Sequence, residues 1–124
     1  MSKTYLTAFN NLVIKFNQEL INTFPEENDF KVYKKAIILL NKTNAKKICL
    51  LFKSYSNEFR DQIIQRNEEF FLTKNYKEMV FKDSNGIESI VNKLKNYWTQ
   101  LSVTNKDNIW KYLNTLLKLS DLIE

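Results

Sequence analysis

The chain has 124 residues, 44% of them hydrophobic and 27% charged, with a net charge of +5 and no histidine. That length supports one hydrophobic core and excludes two independent ones, and the hydrophobic content excludes a disordered chain. One cysteine, one glycine and one proline exclude a disulfide framework, a cysteine zinc site, cysteine–histidine catalysis and a glycine-rich phosphate loop.

The first apolar pattern places Tyr5, Phe9, Leu12, Val13, Phe16 and Leu20 at steps of three and four, predicting a helix from Thr4 to Asn22. Phe24-Pro25 ends it, because proline disfavours helical geometry in the residue before it and carries no amide donor. Glu26, Glu27 and Asp29 then put negative charge where the next helix dipole favours it. That helix runs from Asp29 to Leu40 with Phe30, Tyr33, Ile37 and Leu40 inward. After the polar break Asn41 to Asn44, with Asn44 as N-cap, a third helix from Ala45 to Phe59 turns Ile48, Leu51, Phe52, Tyr55 and Phe59 inward. Cys49 falls in an apolar run and reads as a small buried hydrophobe.

Residues 60–82 are the least regular stretch. Ile63-Ile64 and Phe70-Phe71-Leu72 predict short helical turns separated by Gln65 to Asn67, and Met79-Val80-Phe81 fits either an extended segment or the approach to a turn. Asp83-Ser84-Asn85-Gly86 is a turn, lacking the ligand spacing of a calcium loop. Beyond it, Ile87, Ile90, Val91, Leu94, Trp98 and Leu101 share one helical face, and Ile109, Trp110, Leu113, Leu116 and Leu117 share another. Thr104 and Asp107 have capping-box spacing between them. The short connection predicts antiparallel neighbours with Trp98 facing Trp110. The fold expected is an all-α single domain, a compact bundle of five or six helices ending in an antiparallel helical hairpin.

No catalytic motif, cofactor site or metal site emerges, so the chain reads as a non-enzyme that acts by binding. Glu26-Glu27 and Glu68-Glu69 each stand where a helix begins, which the dipole accounts for. Two candidate surfaces remain. Phe30 to Asn57 holds Lys31, Lys34, Lys35, Lys42, Lys46, Lys47 and Lys53 and no acidic residue. Two adjacent helices presenting these lysines would face phosphates, anionic lipid headgroups or an acidic partner. Nucleic-acid binding through them would be non-specific, because lysine contacts backbone phosphates while arginine forks read bases. The alternative is a solvated face: Lys, Asn, Ile, Phe and Tyr, all read from AT-rich codons, supply 59 residues against seven for Gly, Ala, Arg and Pro. A helix-turn-helix over Ile87 to Leu119 fits poorly, since the charge from Asn105 onward is balanced. The second surface is the rim of the C-terminal hairpin. Tyr97 and Tyr112 fall at the edges of its stripes, where they can flank a groove for a partner helix, support a homodimer, or pack in the core.

Asn67-Glu68-Glu69-Phe70-Phe71-Leu72, Leu94 to Ser102 and Asn105 to Leu113 together resemble small helical proteins of nucleocytoplasmic large DNA viruses, over about half of the chain. The resemblance implies a viral origin and an all-α fold, and it implies no activity. The longest apolar runs, Ala36 to Leu40 and Ile48 to Phe52, are far too short to span a bilayer, and the start of the chain has no secretory pattern. The expected setting is intracellular, in host cytoplasm or virion, with a protein partner or self-association.

Overall fold

The computed structural model describes residues 2–73 and 93–123. Within them the chain forms α1 (Ser2–Thr23), α2 (Asn28–Thr43), α3 (Ala45–Ile64) and a short α4 (Glu68–Thr73). A helical turn at residues 93–95, a 3-10 turn at Trp98–Gln100 and α5 (Val103–Asp121) follow. The readings of Met79 to Phe81, of the Asp83 to Gly86 turn and of Ile87, Ile90 and Val91 lie outside the described residues.

The helices are all-α in a compact arrangement, as their apolar periodicity predicts. Side-chain pairs fix their directions. Asn17 and Gln18 of α1 bond Phe30 and Lys34 of α2, while Asn10 reaches Asn41 and Ala45, so α1 and α2 run antiparallel. Lys53, Arg60, Ile63 and Arg66 meet Ile123, Asp121, Asn114 and Asp107 in turn, so α3 and α5 are antiparallel too. The result is an up-down-up-down bundle of α1, α2, α3 and α5, with α1 and α3 also touching across its short diagonal. Its buried residues form one cluster. Phe9, Phe16, Phe30, Phe52 and Leu116 are essentially sealed from solvent within it. Tyr5, expected inward, is instead partly exposed near the outer end of α1, at 39%.

The loops are built by specific backbone closures. The Asn44 amide donates to Leu40 O at 2.7 Å to end α2, and its carbonyl accepts from Lys47 N to begin α3. Asn44 is therefore the N-cap by position, although its side chain makes no capping bond. α3 runs five residues past the expected Phe59, to Ile64. It ends in a Schellman closure: Asn67 N donates to Gln62 O and Arg66 N to Ile63 O, with Arg66 in the left-handed region at φ 54°. Asn67 then caps α4 by accepting from Phe70 N at 3.1 Å. Glu68 and Glu69 stand in the first turn of α4, where their sequence position put them.

Two local expectations are corrected. The face expected to run from Leu94 through Trp98 to Leu101 is not one continuous α-helix: the helical turn ends at residue 95 and a 3-10 turn follows. Leu94, Trp98 and Leu101 are buried all the same, because an i, i+3 or i+4 spacing is met by either geometry. The N-cap of α5 is Ser102, whose hydroxyl accepts from Asn105 N at 3.1 Å, and not Thr104, which lies inside the helix. Asp107 bonds Arg66 and Lys111 instead of reaching back to the cap. Trp98 and Trp110 do face each other, edge to face at 5.7 Å between ring centroids.

Candidate binding surfaces

Between α1 and α5 runs an open groove of about 370 Å³. Its floor is apolar, formed by Leu12, Phe16 and Leu20 of α1 with Ile109 of α5 and Leu101. Polar side chains stand along both walls: Lys15, Glu19 and Thr23 on one, Asn105, Asn108 and Thr115 on the other. This arrangement follows from the registers of the two helices. Phe16 and Leu20 and, opposite, Ile109 and Leu113 point into the core, and the residues one turn-edge away line the opening.

Tyr112 lines this groove, its ring packed on Phe16 at 5.1 Å. Burial pushes its phenol up from the ordinary value, and the Glu19 carboxylate across the groove adds to the shift, so the hydroxyl stays protonated as a donor. Tyr97 is elsewhere. It is half-buried against Phe24, at 4.6 Å, and Phe30, at 6.4 Å, beside the α1–α2 turn, and it does not line the groove. The two tyrosines named together from sequence thus belong to separate aromatic clusters. The α1 wall of the groove carried no sequence signal, because its pairing with α5 joins residues almost a hundred positions apart.

Of the seven lysines between Phe30 and Asn57, the fold engages Lys34 and Lys53 through hydrogen bonds to other elements. Lys34 donates to Gln18 Oε1 at 2.7 Å, tying α2 to α1. Lys53 donates to the carbonyl of Ile123, meeting the negative end of the α5 dipole. Both are half-buried and are withdrawn from the expected anion-binding set. Lys47 is also half-buried. Lys31, Lys35, Lys42 and Lys46 are exposed and make no ion pair with any described residue. Three of them, Lys31, Lys35 and Lys42, occupy one stripe of α2, and Lys46 follows at the start of α3.

Elsewhere, basic groups are committed to holding elements together. Lys93 bridges Glu27, at 3.0 Å, and Asp29, at 2.6 Å, pinning the segment before Trp98 to the start of α2; the hydrogen bonds to Asp29 and then Glu27 raise its pKa. Lys106 lies 5.5 Å from the Trp98 ring centroid and 3.4 Å from Glu68. Arg60 grips Asp121 through both guanidinium nitrogens, and Arg66 holds Asp107. Both arginines thus form exposed ion pairs along the contact of α3 with α5. Cys49 is 1% exposed, and burial pushes its thiol up, so it is an inert core group, as its sequence setting predicts.

Comparison with protein-family models, with curated proteins and with solved structures finds no match. The reading of function therefore rests on these two surfaces.

Proposed function

We propose that the protein is a non-enzymatic helical adaptor that receives an amphipathic helix of a partner protein in the groove between α1 and α5. The observation that carries this reading is the groove itself, an apolar floor between two antiparallel helices, lined by Tyr112 and with polar walls on either side. Apolar anchors of a partner helix at i, i+3 and i+7 would replace water over Leu12 and the half-buried ring of Tyr112, above the sealed Phe16 and Ile109. The tyrosine hydroxyl and the asparagines of the α5 wall would bond the partner's polar edge. Its volume falls within the ~300–1,000 Å³ of ordinary ligand sites, which also suits a short helical segment.

The reading further rests on what the chain offers a reaction: no histidine, and a single cysteine that is buried and protonated. No helix among the described residues is long and apolar enough to cross a membrane. Asn108→Trp is the first test. Asn108 is exposed on the groove wall, so an indole there fills the opening without touching the core. Affinity capture with the wild-type chain should retain a partner that Asn108→Trp and Tyr112→Ala lose, with helical circular dichroism unchanged for Asn108→Trp. Equal retention by all three chains would defeat the groove as the site. Light scattering of the purified chain separates self-association from capture of a different protein.

A further inference from the structure

The outer face of α2 carries more than charge. Leu39 is 62% exposed and Val32 57%, and both lie among the lysines by helical spacing. Leu39 is four residues after Lys35 and three before Lys42; Val32 is three before Lys35. The pattern continues across the corner at Asn44, where Leu50, 54% exposed, is four residues after Lys46. Because α2 and α3 pack together and join at Asn44, antiparallel pairing sets Leu39 and Leu50 at matching height. Large aliphatic side chains are thus left in water along the outer side of α2 and the first turns of α3, beside ammonium groups that make no ion pair with a described residue.

We propose that this face, the exposed side of α2 with the first turns of α3, is a contact surface for a bilayer rich in anionic lipid. The lysines would meet headgroup phosphates and carboxylates. Their long stems let the charge stay at headgroup level while Leu39, Val32 and Leu50 enter the acyl boundary. Charge complementarity selects this occupant: Lys31, Lys35, Lys42 and Lys46 are exposed here, and residues 30–57 contain no acidic residue.

Other occupants fit the chemistry less well. A nucleic acid would use aromatic rings or arginine to stack and read bases, and the exposed apolar groups of this face are aliphatic, with both arginines engaged elsewhere. A second copy docked through the same face would set lysines against lysines. An acidic protein would be expected to meet aromatic anchors at the centre of the patch, which holds leucine and valine instead.

The test is flotation of the full chain with phosphatidylcholine vesicles, with and without phosphatidylserine, alongside titration with labelled duplex DNA and single-stranded RNA. The chain should float only with the anionic vesicles, and the bound fraction should fall as salt is raised. Lys35→Glu and Lys42→Glu should each lower partitioning at least about fivefold, since one lysine near an anionic surface is worth that much. The double variant Val32→Ser/Leu39→Ser keeps every charge and should still lower vesicle binding about tenfold through lost apolar burial. These are surface positions, so circular dichroism should report an unchanged fold. Equal partitioning to neutral and anionic vesicles would overturn the proposal, as would none at low salt. Nucleic-acid binding that the lysine variants abolish and Val32→Ser/Leu39→Ser leaves intact, without flotation, would reassign the face to phosphate backbones.

Discussion

The α3–α5 seam and the outer face of α2 both carry cations, and they use them in opposite ways. Along the seam, Arg60 is matched to Asp121, Arg66 to Asp107 and Lys53 to the carbonyl of Ile123 just beyond α5. On α2, Lys31, Lys35 and Lys42 stand exposed with no described counter-charge, next to leucine and valine that the core has not taken up. Composition alone treats these cations as one excess. The fold divides them into a set that fastens helices and a set left for whatever lies outside, and a genome rich in lysine codons accounts for their number but not for that division.

The largest effect separating the two regions should come from apolar residues. Leu116 is fully buried on α5, so Leu116→Ala should cost ~2–5 kcal/mol through lost transfer energy and the cavity left behind. Leu39→Ala removes the same atoms from a side chain already in water and should change stability by less than about 0.5 kcal/mol. Urea unfolding of both variants checks the pair. A comparable loss for Leu39→Ala would mean that the α2 face is covered within the chain, and the contrast would collapse.

A smaller effect sharpens the start of the seam. Ser102→Ala removes the hydroxyl that accepts from Asn105 N and should cost about 1 kcal/mol. Thr104→Ala, at an exposed position inside the first turn of α5 without a capping bond, should be neutral or stabilise by a few tenths through alanine's higher helix propensity. Thermal denaturation of the two variants distinguishes them, and the reverse order would restore the capping box that spacing suggested.

That pair also shows where sequence stops being sufficient. Both Ser102 and Thr104 have a side chain suited to capping; Ser102 takes the role, and Asp107, the expected partner of Thr104, is bound by Arg66 from 41 positions away. By contrast, Ile109, Trp110, Leu113, Leu116 and Leu117 are all buried as their period demands, because an uninterrupted apolar stripe has one way to face a core. Asn10 and Asn17 were invisible for the opposite reason. They are polar, yet sealed beside Phe9 and Phe16, since their amides bond Ala45 O, Asn41 and Phe30 O on neighbouring elements. In the candidate sites, helical spacing could not separate Lys34 and Lys53 from the other lysines, because their partners are supplied by α1 and by the end of the chain after α5. Tyr112 was legible as an edge residue; the opposite wall, with Lys15 and Glu19, exists only once α1 and α5 have met.

The smallest effect probes the seam's charges directly. Arg60 holds the Asp121 carboxyl below the usual carboxylate range, and Lys111 with Arg66 does the same for Asp107. A carboxylate whose folded pKa is depressed binds fewer protons in the native state, so its stabilisation is complete above the unfolded value of about 3.9 and is lost as pH falls through the lower folded value. Melting temperature should therefore stay level down to about pH 4 and drop below it, and Asp121→Asn and Asp107→Asn should each make that drop shallower. Both pairs are solvent-exposed, so their contribution is small and should shrink further near 1 M salt, where screening acts within about 3 Å. Lys35, which makes no ion pair with a described residue, holds no carboxylate in this seam, and Lys35→Gln should keep the wild-type shape of the acid limb. An acid limb unchanged in both aspartate variants would mean that the seam's ion pairs are dispensable to the bundle, leaving its apolar contacts to hold α3 and α5 together.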